Sequence, residues 1–147
     1  MTLLLPLLQF ALMAILIAPW MGRFPDWMSV PAIAAYAVLT AGGLLFFWVL
    51  RHNRIDNFSF RPEPPPGNRL ITSGPYRFIR HPMYLALLLV MTGAVLLYGE
   101  PWRWLALGAL GTVLHFKARL EERFLCMRFP EYRDYMAHTK SILPFVL

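Results

Sequence analysis

Residues 83–116 read MYLALLLVMTGAVLLYGEPWRWLALGALGTVLHF, two apolar runs parted only by Gly99, Glu100 and Pro101. As helices, the runs Met83–Tyr98 and Trp102–Phe116 would each be about 24 Å long at 1.5 Å per residue. Three residues containing glycine and proline leave room only for a sharp reversal, so the stretch predicts a tight antiparallel helical hairpin. Both arms fall slightly short of the roughly 17–25 residues that cross a hydrocarbon core. One hairpin lying in the interface is therefore the alternative to two true spans.

Two longer apolar runs precede the hairpin, at residues 3–20 and 30–50. Each is long enough to cross a bilayer. The first lacks a basic leading segment and a convincing small-residue cleavage site, so it reads as a retained span rather than a signal peptide. The chain then divides as one membrane domain: spans at 3–20 and 30–50, a loop at 51–82, the hairpin at 83–116, and a tail at 117–147. Within the loop, residues 61–68 (RPEPPPGN) form a stiff polyproline-like connector. Beyond the fourth span, Lys117 to about Phe129 continues as a helix with Leu120, Phe124 and Met127 on one stripe, read most plainly as an amphipathic helix lying on the membrane surface. The expected fold class is thus all-α and integral to the membrane, with about four spans in two antiparallel hairpins plus this C-terminal helix.

Composition agrees. Of 147 residues, 58% are hydrophobic and 15% charged, against about half and a quarter in soluble domains. Disorder and collagen are excluded, and the single Cys126 rules out an internal disulfide. Four spans would gather both termini and the 51–82 loop on one side, together with twelve of the fourteen Lys and Arg residues, leaving only Arg23 and Arg103 opposite. The positive-inside rule makes the basic side cytoplasmic. The net charge of +6 therefore reads as a membrane face, and no nucleic-acid partner is expected. Trp20, Trp27, Trp48, Trp102 and Trp104 lie near predicted span ends, where indoles favour the headgroup layer.

Polar side chains concentrate in two places, both on the basic side. In the first, residues 70–85 (LITSGPYRFIRHPMYL), Pro82 suits a helix start. Tyr76, Arg77, Arg80, His81 and Tyr84 gather there, a natural place for an anionic group. They also suit a plainer role, since basic residues and tyrosines flank most spans. In the second, His115, Arg119 and Glu122 follow one helical face, and Lys117 and Glu121 form an i,i+4 pair beside it. These carboxylates suit a bound ammonium group, or merely weak surface ion pairs. No short His or Cys spacing indicates a metal. Gly42, Gly43 and Gly93 lie inside spans, as close helix packing requires.

Taken in order, the 70–84 stretch, the hairpin, residues 119–125 (RLEERFL), residues 129–135 (FPEYRDY) and the ending at 142–145 (ILPF) resemble the isoprenylcysteine carboxyl methyltransferase and phospholipid N-methyltransferase superfamily in its short bacterial form. The likeness covers roughly residues 61–147. It implies an S-adenosyl-L-methionine-dependent enzyme of a bacterial cytoplasmic membrane, with Tyr76, Arg80, His81, Pro82, Tyr84, Glu121 and Glu122 around the cofactor. Ala86 and Pro130 stand where that family commonly has glycine.

On that reading Glu121 or Glu122 would pair with the cofactor's ammonium, and Arg80 or His81 with its carboxylate. Tyr76 or Tyr84 would offer a ring face to the sulfonium. Catalytic candidates are Arg119, to orient an acceptor carboxylate, and Glu122 or His115, as base for an amine acceptor. The implied acceptor is lipophilic and enters from the bilayer between the third and fourth spans. The resemblance leans towards carboxyl methylation. Phospholipid N-methylation stays open, as do an NADPH-dependent membrane reductase and a non-catalytic protein whose basic loops hold membrane lipids. The oligomeric state is not legible.

Overall fold

The computed structural model describes residues 3–18, 30–53, 63, 67 and 69–143. Most of the 61–68 connector, Trp20, Trp27, Arg23 and residues 144–147 lie outside that set. Among the described residues there are five α-helices and no strand. They are α1 (Leu4–Ile17), α2 (Val30–His52), α3 (Pro82–Tyr98), α4 (Trp102–Arg128) and α5 (Tyr132–His138), with a short 3₁₀ turn at Gly74–Arg77. The all-α expectation holds. One described helix, from Ala32 to His52, is long and apolar enough to cross a membrane; α1 and α3 are shorter apolar helices. Large side chains face outwards along the bundle, Ile33 at 72% and Leu105 at 79% exposure. That surface suits lipid and supports membrane association.

Local chemistry sets the hairpin. Pro82 occupies the first turn of α3, where a missing N–H costs nothing. Gly99 ends the helix at φ 69°, a left-handed conformation open to glycine, and its N–H bonds Val95 O. Pro101 then leads directly into α4.

Two expectations are corrected. The stretch from Lys117 does continue the fourth helix, and α4 runs unbroken to Arg128 over about 40 Å, but it is not a surface helix. Its far end buries Lys117, Ala118 and Glu122, which are drawn inwards by partners on α1 and the α3 entrance. Leu120 and Phe124 are half-buried and Met127 is exposed. The first two helices also do not pair as a hairpin. Instead α1 packs chiefly on α4, and α2 on α3.

All these contacts are antiparallel. Gly42 of α2 sits against Leu89 and Val90 of α3, and Gly93 of α3 sits against Ala35 and Leu39 of α2. A Cβ at Gly42 would lie 2.9 Å from Val90 Cγ2, and one at Gly93 3.1 Å from the Ala35 carbonyl. Gly43 meets nothing within 4 Å. Gly93→Val is expected to force α2 from α3 and cost about 1–3 kcal/mol, read as a lower thermal midpoint in detergent. Gly43→Ala should leave the midpoint in place.

The opposite end of the bundle is clamped by fully buried Arg103. Its guanidinium bonds Ile15 O at 3.2 Å, Ala18 O at 2.8 Å and Leu16 O. It lies 4.0 Å from the Tyr98 ring centroid, and its charge is met by Glu100. Tyr98 donates to Ile17 O at 2.7 Å. The otherwise orphaned last carbonyls of α1 are thereby satisfied by the α3–α4 turn.

Candidate functional site

The end of the bundle opposite Arg103 gathers the α3 entrance, the distal part of α4 and the tail. Residues Phe78–His81 are pinned there by the backbone. Ile79 and Lys140 form an isolated parallel bridge, Arg80 N donates to Lys140 O at 2.8 Å, and His81 N donates to Ser141 O at 2.9 Å. This short strand-like pairing fixes where the Arg80 and His81 side chains begin.

Glu122 is the hub. Its Oε1 accepts from Arg80 Nε at 2.7 Å, His81 Nε2 at 3.2 Å and Ser141 Oγ at 3.1 Å. Arg80 also donates to the carbonyls of Met136, at 3.2 Å, and Thr139, so it ties α5 to the cluster. His81 Nδ1 faces Glu121 Oε2 at 3.5 Å. The Tyr84 hydroxyl donates to Glu121 Oε1, and the Tyr84 ring stacks on His81 with centroids 5.3 Å apart. Glu122 is buried, whereas the Glu121 side chain is 20% exposed and marks the open edge.

The electrostatics follow from this geometry. Burial works against charge on Glu122, but the bonds from His81 and Arg80 more than reverse it and hold the carboxyl down at about 2. Burial likewise disfavours charge on His81, and the two glutamates overcome it, raising the imidazole above its usual 6.5. Burial pushes up the phenols of Tyr76, Tyr132 and Tyr135, the last to about 12, so none adds negative charge.

A pH window results. The His81 contribution to stability is complete below 6.5 and is lost as pH rises through its raised folded value. The Glu122 contribution is complete above 4.5 and is lost as pH falls towards about 2. The thermal midpoint is expected to be highest between 4.5 and 6.5 and to decline on both sides. His81→Gln should remove the alkaline decline; an alkaline limb that survives it would place the titration elsewhere.

Of the residues singled out by sequence, Arg80, His81, Pro82, Tyr84, Glu121 and Glu122 converge here. Tyr76 lies beside them, accepting at its carbonyl from the Tyr135 hydroxyl and bonding Asn53 through its own. His115, half-exposed and packed on Phe116, and Arg119, exposed, do not join the cluster. Neither helical ion pair forms: Glu122 turns to Arg80 and His81, and Lys117 turns to Gln9. Ala86 is buried inside α3. Ser141, Thr139, Lys117 and Gln9 were not foreseen as site residues. Two carried a signal: Lys117, which sequence paired with Glu121 instead, and Gln9, the one polar residue of α1. Among the described residues no group of three His, Cys, Asp or Glu could hold a metal.

A helical bundle with an apolar outer surface and a buried, paired-charge cluster at one end defines a helical protein with an end-on polar site. The chain belongs to the phospholipid methyltransferase family, which it matches over residues 30–132. It is therefore a member of a family of membrane methyltransferases. The match takes in α2, α3, α4 and the first residue of α5, and so every charged member of the cluster. The chain is also similar to the cobalt-zinc-cadmium resistance protein CzcN of Cupriavidus metallidurans, with 39% identity over 79 residues. That alignment covers 52% of this chain and 36% of CzcN, so it spans little more than a third of that relative.

Proposed function

We propose that the chain transfers a methyl group from S-adenosyl-L-methionine to a lipophilic acceptor at the cytoplasmic surface of a membrane. The observation that carries this reading is the joining of the Arg80-His81-Pro82-x-Tyr84 segment to Glu121 and Glu122 in one buried cluster, within a chain of this family. The alternating helix directions favour four crossings. The cluster would then lie at the cytoplasmic end and Arg103 at the other, with the fourth crossing ending near Phe116.

The residues fit the cofactor's amino-acid end through Glu121, the partly open carboxylate, which suits an ammonium. When bound, S-adenosyl-L-methionine supplies a methyl group on a cationic sulfur. Arg80 and His81 are already held by Glu122, so their part is to fix the cluster rather than to grip the ligand. The Tyr84 ring is occupied on one face by His81, and Tyr76 is the freer ring for a neighbouring cation. A water-poor, pre-formed site contributes mainly by holding donor and acceptor in line.

Glu122, held near 2, is a poor base at neutral pH, and both ring nitrogens of His81 are engaged by the two glutamates. An acceptor that arrives as a nucleophile, such as a carboxylate, needs no base. This favours carboxyl methylation. A second reading, transfer to a phospholipid amine, is favoured by the family match and would draw its base from outside the cluster, with His115 as candidate.

The test is transfer of labelled methyl to a prenylated cysteine carboxylate and to phosphatidylethanolamine in mixed micelles. A base-labile methyl ester supports the first reading and a base-stable N-methyl lipid the second. No transfer to either by a folded sample would contradict both.

A further inference from the structure

The helix α1 lies outside residues 30–132, the part matched by the family. It is apolar throughout except for Gln9, which is buried. Gln9 Oε1 accepts from Lys117 Nζ at 3.1 Å, and that ammonium lies 5.3 Å from the centroid of the Tyr84 ring. Lys117 is only 4% exposed. Among the described residues no carboxylate lies within ion-pair distance of it, and Glu121, one helical turn on, is turned towards Tyr84 and His81.

A buried ammonium whose hydrogen-bond partner is a neutral amide is costly. Polar residues on membrane-facing helices commonly mark a ligand path. The pairing points the same way. Glu121 and Glu122 are engaged by His81 and Arg80, so neither carboxylate of the cluster is turned to Lys117, which meets only the Gln9 amide. Lys117 and Glu121 flank Tyr84 from one helix, an arrangement that leaves an anion as the missing member.

We propose that Lys117, held by Gln9 of α1, is an anion subsite that receives the carboxylate of a ligand lodged against Tyr84. On this inference α1 is part of the site and not only an anchor. The carboxylate has two sources, the methionine end of the cofactor or a lipophilic carboxylate from the bilayer, and only the first rests on the methyltransferase reading.

The experiment titrates the detergent-purified full chain with S-adenosylhomocysteine in one arm. In the other it uses hexadecanoate, with hexadecan-1-ol as the neutral control. Lys117→Met is expected to weaken one carboxylate ligand roughly tenfold or more and to leave hexadecan-1-ol unchanged. Weakening of S-adenosylhomocysteine assigns the subsite to the cofactor, and weakening of hexadecanoate assigns it to a lipophilic carboxylate. Gln9→Glu guards against a folding defect. It places a carboxylate on Lys117, so it should raise the thermal midpoint while causing the same loss of anion affinity. Wild-type silence to S-adenosylhomocysteine would defeat the cofactor reading while the hexadecanoate arm still decides this one. The proposal is overturned if no carboxylate binds, or if both variants keep wild-type affinity for those that do.

Discussion

Glu122→Ala is expected to cost about 3–5 kcal/mol of folding stability, the toll of removing one member of a buried ion pair and stranding the others. The cause is specific. Glu122 Oε1 alone receives Arg80, His81 and Ser141, so its loss leaves buried Arg80 without a carboxylate and His81 with Glu121 alone. Arg80 would lose its charge partner while still bound to the Met136 and Thr139 carbonyls, and α5 should loosen with it. Thermal or denaturant unfolding in detergent measures the drop. A double-mutant cycle with Arg80→Ala isolates the pair, and the double variant should fall short of the summed single costs by roughly 0.5–3 kcal/mol. Strict additivity would mean that the two side chains are not coupled.

Glu121→Gln should act in the opposite manner, sparing the fold and impairing the chemistry. Glutamine keeps an acceptor for the Tyr84 hydroxyl, and the lost charge faces His81 from a partly exposed position. The stability change should stay within about 1 kcal/mol. Cofactor affinity, by contrast, should fall roughly 10- to 150-fold, the usual worth of a hydrogen bond to a charged group. Equilibrium binding and the unfolding midpoint, measured on the same preparation, separate the two effects. Unchanged affinity would move the ammonium site away from Glu121, and unfolding would show that Glu121 belongs with Glu122 in holding the structure.

The hairpin was legible because its signals are local: Pro82 can only begin a helix, and Gly99 can take the left-handed turn. The membership of the cluster was legible too, since two short stretches held most of the polar groups. Its wiring was not. Helical spacing identifies Arg119 as a neighbour of Glu122 and Lys117 of Glu121, but it says nothing of partners arriving from other helices. Those partners won. Arg80 and His81 are delivered to Glu122 by backbone pairing at Ile79 and Lys140, an isolated bridge without a periodic pattern. The pairing of α1 with α4 was hidden for a similar reason, because its polar contacts join single residues, Gln9 to Lys117 and Arg103 to the end of α1. The placement of α4's far end was misread because its charged residues suggested a surface, whereas Lys117 and Glu122 are buried with partners.

Binding of S-adenosyl-L-methionine is tested most directly by calorimetric titration of the detergent-purified wild-type chain. S-adenosyl-L-methionine and S-adenosylhomocysteine should both bind saturably, and NADPH should give no heat beyond dilution. A folded sample that binds NADPH, or that is silent to both methyl-cycle compounds, would contradict the account.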